Sequence, residues 1–370
     1  LLKIDRNNLA SPGMQARIEA VVEVLRAGGL VAMPTETVYG LAANALNEKA
    51  VAKIFAAKQR PAWDPVIVHI DSSKMLDEVT TARPQVVDQL IKNFWPGPLT
   101  LLLPKSAAIP KIVTAGRQLV GVRMPADPVA LALISAAGVP LAAPSANRFG
   151  HTSPTRAQHV IDDLNGRIDC ILDAGPCQHG VESTVLDPNQ KPMLIYRPGA
   201  ITREQIEAAT GVAVALYREP EQLSELPHEA LPSPGVGLRH YAPGARLVLF
   251  EAQLDEMPEA IAKIIHAEHR EHHDANIGVL APTELIQRLT VMLYDGAGNE
   301  RGAKNITLLD WGRWHQPAEL GVNLFASLRE LDAHGCGIII APVPSTDGIG
   351  AAIRDRMRKA ASTAPIDKKI

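Results

Sequence analysis

Gly28-Gly29-Leu30-Val31-Ala32-Met33-Pro34-Thr35-Glu36-Thr37-Val38-Tyr39-Gly40-Leu41 sets a short apolar strand directly before a polar turn. A second stretch, Lys58-Gln59-Arg60-Pro61-Ala62-Trp63-Asp64-Pro65-Val66-Ile67-Val68-His69-Ile70, puts two cations ahead of a strand that ends in histidine. A fold alone does not need two threonines, a Glu and a Tyr packed behind a strand, nor Lys and Arg two apart before a proline. The arrangement suits a site that binds something anionic and something hydroxylated at once. Each piece also has a plain reading: a polar turn, a solvated helix end whose cations suit the dipole, and a hydrogen-bonded core histidine.

Around these stretches, helical and strand patterns alternate. Apolar spacing predicts a helix over 14–27 that ends at Gly28-Gly29. Asn47 caps a helix over 48–57. Pro84 and Pro128 suit the first turns of helices at 84–94 and 128–137. Thr202 to Gln205 fits a capping box, and Gly211 ends that helix. Strands are expected at 30–33, 66–70, 99–103, 119–124, 139–143, 168–172, 182–187 and 193–196. Interleaving of this kind indicates an α/β domain over 13–213. Prolines at 220, 227, 232, 234 and 243 mark a linker over 214–245. A second α/β pattern fills 246–362. Its strands are expected near 246–250, 276–280, 305–309 and 337–341, in a small parallel or mixed sheet, with helices near 255–270, 283–290, 317–332 and 349–361.

The 370 residues are enough for two domains and a large core. A net charge of −3 and 4% aromatic content argue against a nucleic-acid coat and broad stacking surfaces. Cys170, Cys177 and Cys336 form no CxxC pair, and an odd count in a long chain points to a reducing compartment. Asp5 and Arg6 interrupt any signal-peptide pattern. The uncharged run 129–147 is broken by Gly138, Pro140 and Pro144, so it reads as a buried helix, turn and strand and not as a membrane span.

Arg123, near the end of an apolar strand, needs a partner if buried: an internal carboxylate, or the carboxylate of a substrate. Pro144-Ser145-Ala146-Asn147 with Ser153-Pro154-Thr155 supplies groups that make turns and also contact phosphate or ribose. Gly180-Val181-Glu182-Ser183-Thr184 and Tyr196-Arg197-Pro198-Gly199 repeat polar residues at strand ends. There is no GxxxxGK[ST] loop and no GxSxG elbow. His266, His269 and His273 could share a helical face, but no defined ligand spacing frames them, so a solvated face is the reading. Gly348-Ile349-Gly350 reads as a plain turn.

Taken in order, PTETVYGL (34–41), KQRPAWDPVIVHI (58–70), WPGPLTLLL (95–103), VGVRMP (120–125), PLAAPSAN (140–147), GVESTVLD (180–187), YRPGAIT (196–202) and SPGVGLRHYAP (233–243) resemble the Sua5/YrdC/YciO family, in its two-domain Sua5 form. The resemblance implies a YrdC-like twisted mixed-sheet domain with a deep cavity and a small Rossmann-like C-terminal domain. It also implies synthesis of L-threonylcarbamoyladenylate from L-threonine, bicarbonate and ATP with release of pyrophosphate, in the cytoplasm, for N6-threonylcarbamoyladenosine at position 37 of tRNA. Mg²⁺ is expected on the phosphates, with no protein ligand to name.

By the same resemblance Lys58, Arg60 and Arg197 carry the catalytic phosphate charge. Asp64, Leu119, Ser145, Asn147, Ser153, Ser233 and His240 join them at ATP, and Thr37, His69, Arg123, Ala143 and Ser183 hold threonine. Arg239, His240 and Tyr241 are expected on a lid formed by the linker. The product passes to the tRNA threonylcarbamoyl transferase machinery, with room for a weak tRNA contact and none for a membrane. Two departures stand out. Asp64 occupies a position where the family commonly has Asn, and Val236, Gly237 and Leu238 replace Met, Lys and Tyr. The competing readings are a carbamoyltransferase-like relative, disfavoured by the missing CxxC pairs, and an RNA-binding module, disfavoured by charge.

Overall fold

Helix Pro12–Arg26 buries Ile18, Val21, Val22 and Leu25 at helical spacing. The chain then turns at Gly28, whose φ of +73° is one that side-chain-bearing residues rarely adopt. In the computed structural model the described residues are 1–218, 231, 233, 236, 240–294 and 305–361. They fall into two units, one within Leu1–Phe149 and Ser153–Leu238, the other within Gly150–Thr152 and Arg239–Ile366.

The first unit is built on β1 (Leu2–Lys3), β2 (Val31–Met33), β3 (Gly40–Asn44), β4 (Ile67–His69), β5 (Leu99–Pro104), β6 (Leu119–Arg123), β7 (Leu141–Ala142), β8 (Cys170–Asp173), β9 (Thr184–Asp187), β10 (Met193–Arg197) and β11 (Val214–Leu216). Their order in one sheet is β1-β8-β2-β3-β7-β4-β6-β5-β9-β10-β11. The sheet is mixed: β4 runs parallel to β6, whereas β5 runs antiparallel to β6. Its apolar core includes Val31, Leu41, Ile54, Val68, Leu101, Val122 and Leu141.

The second unit has β12 (Arg246–Phe250), β13 (Ile277–Pro282), β14 (Ile306–Gly312) and β15 (Ile338–Pro342), in the order β12-β15-β13-β14. All three pairings are parallel. Helices Met257–Glu271, Ile286–Leu293, Pro317–Ala333 and Ile349–Ala361 connect or follow the strands, as βα alternation requires.

Several elements were not foreseen. β3, Gly-Leu-Ala-Ala-Asn, lacks β-branched residues and is buried along nearly its whole length, so it shows neither propensity nor alternation. β1 and β11 are two and three residues long, and short strands leave almost no periodic signal. Helices Ser73–Val79 and Ala157–Leu164 were also missed. The first domain therefore extends past the expected 13–213: β1 pairs with β8, and β11 pairs with β10. The stretch expected to be a linker begins with a strand, and its end at 240–245 belongs to the second unit. Residues 219–230, 232, 234, 235 and 237–239 of that stretch, with the expectations for Gly237, Leu238 and Arg239, lie outside the described residues.

Candidate functional site

Arg123 ends β6 and His69 ends β4. These strands are parallel neighbours in register, so the two residues are direct partners. Arg123 is 3% exposed and needs an anion. It ion-pairs with Glu36, and it donates from Nη1 to Thr37 Oγ1 (3.0 Å) and from Nε to Gly97 O (3.1 Å). Of the two partners open to Arg123 from sequence, the internal carboxylate is present. Burial pushes the Glu36 carboxyl up, but Arg123 beside it outweighs that and holds it below its usual range. Burial, and then the Arg123 charge, push His69 down to about 3, so its ring is neutral.

The turn that carries Glu36 is closed by Thr35. Its hydroxyl donates to Val38 O (2.6 Å), accepts from the Thr37 and Val38 N–H groups (3.2 Å each), and lies 2.9 Å from Thr37 Oγ1. Side-chain-to-backbone bonds of this kind hold a turn without help from secondary structure. Gly40, at the start of β3, bridges Ser145, and Leu41 N–H donates to Pro144 O (2.7 Å). The Pro144–Asn147 segment is thus drawn against the Thr35–Tyr39 turn.

Lys58 closes helix Glu48–Lys58. Its buried Nζ donates to Ser145 O and Asn147 O, both at 2.5 Å. Burial, then the neighbouring Arg60 charge, push its pKa well down. Arg60 donates to Asp64 O (3.0 Å) and Pro65 O (2.6 Å), and it ion-pairs with Asp64 at 2.9 Å. Asp64 sits in the field of Arg60, Lys58 and Arg197, yet burial raises its carboxyl against their pull. The three cations expected at phosphate therefore share one neighbourhood. Lys58 and Arg60 spend N–H groups on backbone carbonyls, contacts that sequence did not reveal.

Arg197 follows a one-residue register shift between β9 and β10, where Tyr196 is the extra residue. It donates from Nε and Nη2 to Ser183 O (3.1 and 2.9 Å) and from Nη2 to Ser183 Oγ (3.1 Å). Ser183 Oγ also lies 2.8 Å from Thr100 Oγ1. A residue expected at threonine and one expected at ATP are thus in direct contact. Gly199 permits this turn: a Cβ there would stand 2.3 Å from Thr184 N. Ser153 Oγ donates to the Glu182 carboxylate, and Asn147 Nδ2 donates to Arg148 O (2.7 Å). Ala143 N–H donates to Ile67 O (2.9 Å), and Leu119 lines a small cleft with Pro65, Thr114 and Arg117.

Ser233 is buried in the first unit, where neighbouring Leu231 N–H donates to Trp63 O (3.0 Å). His240 belongs to the second unit, and its ring packs edge-on against Tyr241. Tyr241 stacks on Phe325, with the Arg356 guanidinium 4.9 Å from its ring centroid. Among the described residues, no three His, Cys, Asp or Glu side chains are grouped to hold a metal ion. His266 and His269 face the carbonyls of Ala262 (2.7 Å) and Ala275 (3.4 Å). No described helix is long and apolar enough to cross a membrane.

Residues 23–199 match the model of the Sua5/YciO/YrdC family, described as telomere recombination. Residues 201–362 match a model described as the threonylcarbamoyl-AMP synthase C-terminal domain. Over 347 residues the chain is 40% identical to the threonylcarbamoyl-AMP synthase of Pyrococcus abyssi, a match that covers 93% of this chain and 94% of that protein. The chain belongs to the Sua5/YciO/YrdC family. The Bacillus subtilis threonylcarbamoyl-AMP synthase is 41% identical over 346 residues, 93% of each chain. A crystal structure of P. abyssi Sua5 complexed with L-threonine superposes with a TM-score of 0.83 at 37% identity, covering 97% of both chains. Within this Sua5-type framework, sequence reasoning missed Glu36 as the partner of Arg123, Glu182 as the partner of Ser153, and Thr100 beside Ser183. The available signal was a carboxylate one residue from a proposed ligand-binding hydroxyl, at Glu36-Thr37 and again at Glu182-Ser183.

Proposed function

We propose that this chain is a threonylcarbamoyl-AMP synthase. It joins L-threonine, bicarbonate and ATP into threonylcarbamoyl-AMP, with pyrophosphate released, as a nucleotidyltransferase. The observation that carries this reading is the near-full-length match to relatives of that name, one of them crystallised with L-threonine.

The residue chemistry is in keeping. The threonine amine and bicarbonate condense to a carbamate with loss of water. A carbamate oxygen then attacks the α-phosphorus of ATP, and the bond to pyrophosphate breaks. No protein nucleophile is required. Catalysis is positioning of two anionic partners and neutralisation of charge on the leaving pyrophosphate. Lys58, Arg60 and Arg197 supply that charge, held in place by their carbonyl partners. Ser145, Asn147 and Ser153 contact the nucleotide. Thr37, His69, Arg123 and Ser183 surround threonine, with Arg123 toward the carboxylate. Mg²⁺ arrives with ATP as part of the substrate, bound to phosphate oxygens. The mixed anhydride hydrolyses in water, so a segment such as 233–243 that covers the site would raise net yield. The unstable product is handed to tRNA-modifying machinery in the cytoplasm for adenosine 37.

The test is pyrophosphate release with each substrate omitted in turn. Release is expected only with L-threonine, bicarbonate and MgATP together. Equal release without threonine would sink the assignment. Serine is expected to be poorer, because loss of one methyl contact costs about 1–3 kcal/mol.

A further inference from the structure

We propose that Glu36 is the anion that receives the ammonium of the amino acid substrate, beside Thr37 Oγ1 and His69 Nδ1, while its ion pair aims Arg123 at the carboxylate. The inference rests on the threonine reading above and adds to it a polarity for the pocket.

Hydrogen-bond accounting leads there. The single hydroxyl proton of Thr35 goes to Val38 O at 2.6 Å. Its two lone pairs accept from the Thr37 and Val38 N–H groups, so the 2.9 Å contact between the two hydroxyls does not claim the Thr37 proton. Thr37 Oγ1 accepts from Arg123 Nη1. One lone pair remains on Thr37 Oγ1 to accept from a ligand. Glu36 is 2% exposed, and neither of its oxygens makes a hydrogen bond, the ion pair from Arg123 to Oε1 aside. The N–H groups of Ala126 and Glu36 itself are near, but outside hydrogen-bond geometry. His69 Nδ1 is likewise buried without a hydrogen bond, with the Ile67 backbone near the ring but outside hydrogen-bond geometry; with the proton of the neutral ring on Nε2 it is an acceptor, within electrostatic reach of both Glu36 and Arg123.

Buried acceptors left unsatisfied are costly and rare, and two of them, Glu36 Oε2 and His69 Nδ1, lie about one guanidinium. An ammonium group offers three donors. Arg123, with its Nε and Nη1 anchored to Gly97 O and Thr37, offers its remaining N–H groups to a carboxylate. Acceptors on one side and a guanidinium on the other match a zwitterion. A hydroxy acid would satisfy only half of this set.

The experiment is calorimetric titration of full-length protein with L-threonine and with 3-hydroxybutyrate, which keeps the carboxylate, hydroxyl and methyl and lacks the amine. Wild-type protein should bind threonine at least about tenfold more tightly. Glu36→Gln should weaken threonine about tenfold or more and leave 3-hydroxybutyrate unchanged or tighter, because Arg123 then lacks its counter-ion. A merely structural Glu36 would lower both affinities alike. Equal losses in the variant, or no loss for threonine, would overturn the inference. If the variant melts before it can be titrated, the wild-type comparison stands alone, and equal affinity for the two ligands overturns the inference. Wild-type protein that binds no threonine would overturn the synthase reading as well, which separates the two failures.

Discussion

Arg123 and Glu36 are each almost inaccessible to water, so neither charge is tolerable without the other. Removal of one partner of a buried pair leaves an uncompensated ion and costs about 3–5 kcal/mol. Arg123→Ala should lower the unfolding free energy measured in urea by that order as well as weaken threonine binding. Adding Glu36→Gln should recover part of the stability, and none of the threonine affinity. Strict additivity in the double variant would show that the pair is not coupled in the folded state.

His69 gives a second prediction. Its folded pKa is depressed from 6.5 to about 3, so its contribution to stability is fully present above pH 6.5. As pH falls, the unfolded chain takes up the proton and the folded chain does not. Stability therefore drains at up to about 1.4 kcal/mol per pH unit until the folded value is reached. His69→Gln should flatten urea stability between pH 6.5 and 4 relative to wild type. An unchanged acid limb would mean that His69 is not buried neutral.

At the scale of elements, one side chain ties a helix end to a loop. Lys58 gathers Ser145 O and Asn147 O, while its own carbonyl accepts from Phe149 N–H at 2.9 Å. Lys58→Met keeps the length and apolar stem but leaves two buried carbonyls unpaired. Amide exchange at Phe149 should speed up, with exchange in β5 and β6 unchanged and ATP binding weakened. Uniform acceleration along the chain would point to global destabilisation instead. β11 adds a further case. Its pairing with β10 means that a chain ending at 213 exposes a strand edge that one ending at 218 covers. The longer form should melt higher and aggregate less.

At the scale of the whole molecule, each unit carries its own apolar core, centred on Leu101, Val122 and Leu141 in one and on Ile261, Val279 and Ile340 in the other. A chain ending at 218 should therefore fold. It should also give much reduced net threonylcarbamoyl-AMP, because it lacks Ser233 and His240. Unchanged synthesis and product lifetime in the shortened chain would leave the segment after 218 as a tether only.

Sequence by itself determined the α/β class, the two-part organisation and the family, because ordered motifs and βα alternation are local patterns that survive without coordinates. It also brought out Thr37, His69, Arg123, Ser183 and Arg197 as polar residues at strand ends, since a polar group beside an apolar run is visible in one dimension. Only the tertiary structure decided which of them meet. The parallel register of β4 and β6 set His69 against Arg123. The bulge at Tyr196 brought Arg197 onto Ser183. Glu36 proved to be the counter-ion of a residue 87 positions away. Pairings of that kind depend on strand order and on burial, where an unpaired charge is intolerable, and neither is written in local spacing. The same reason hid β3, whose alanines become a strand only between β2 and β7.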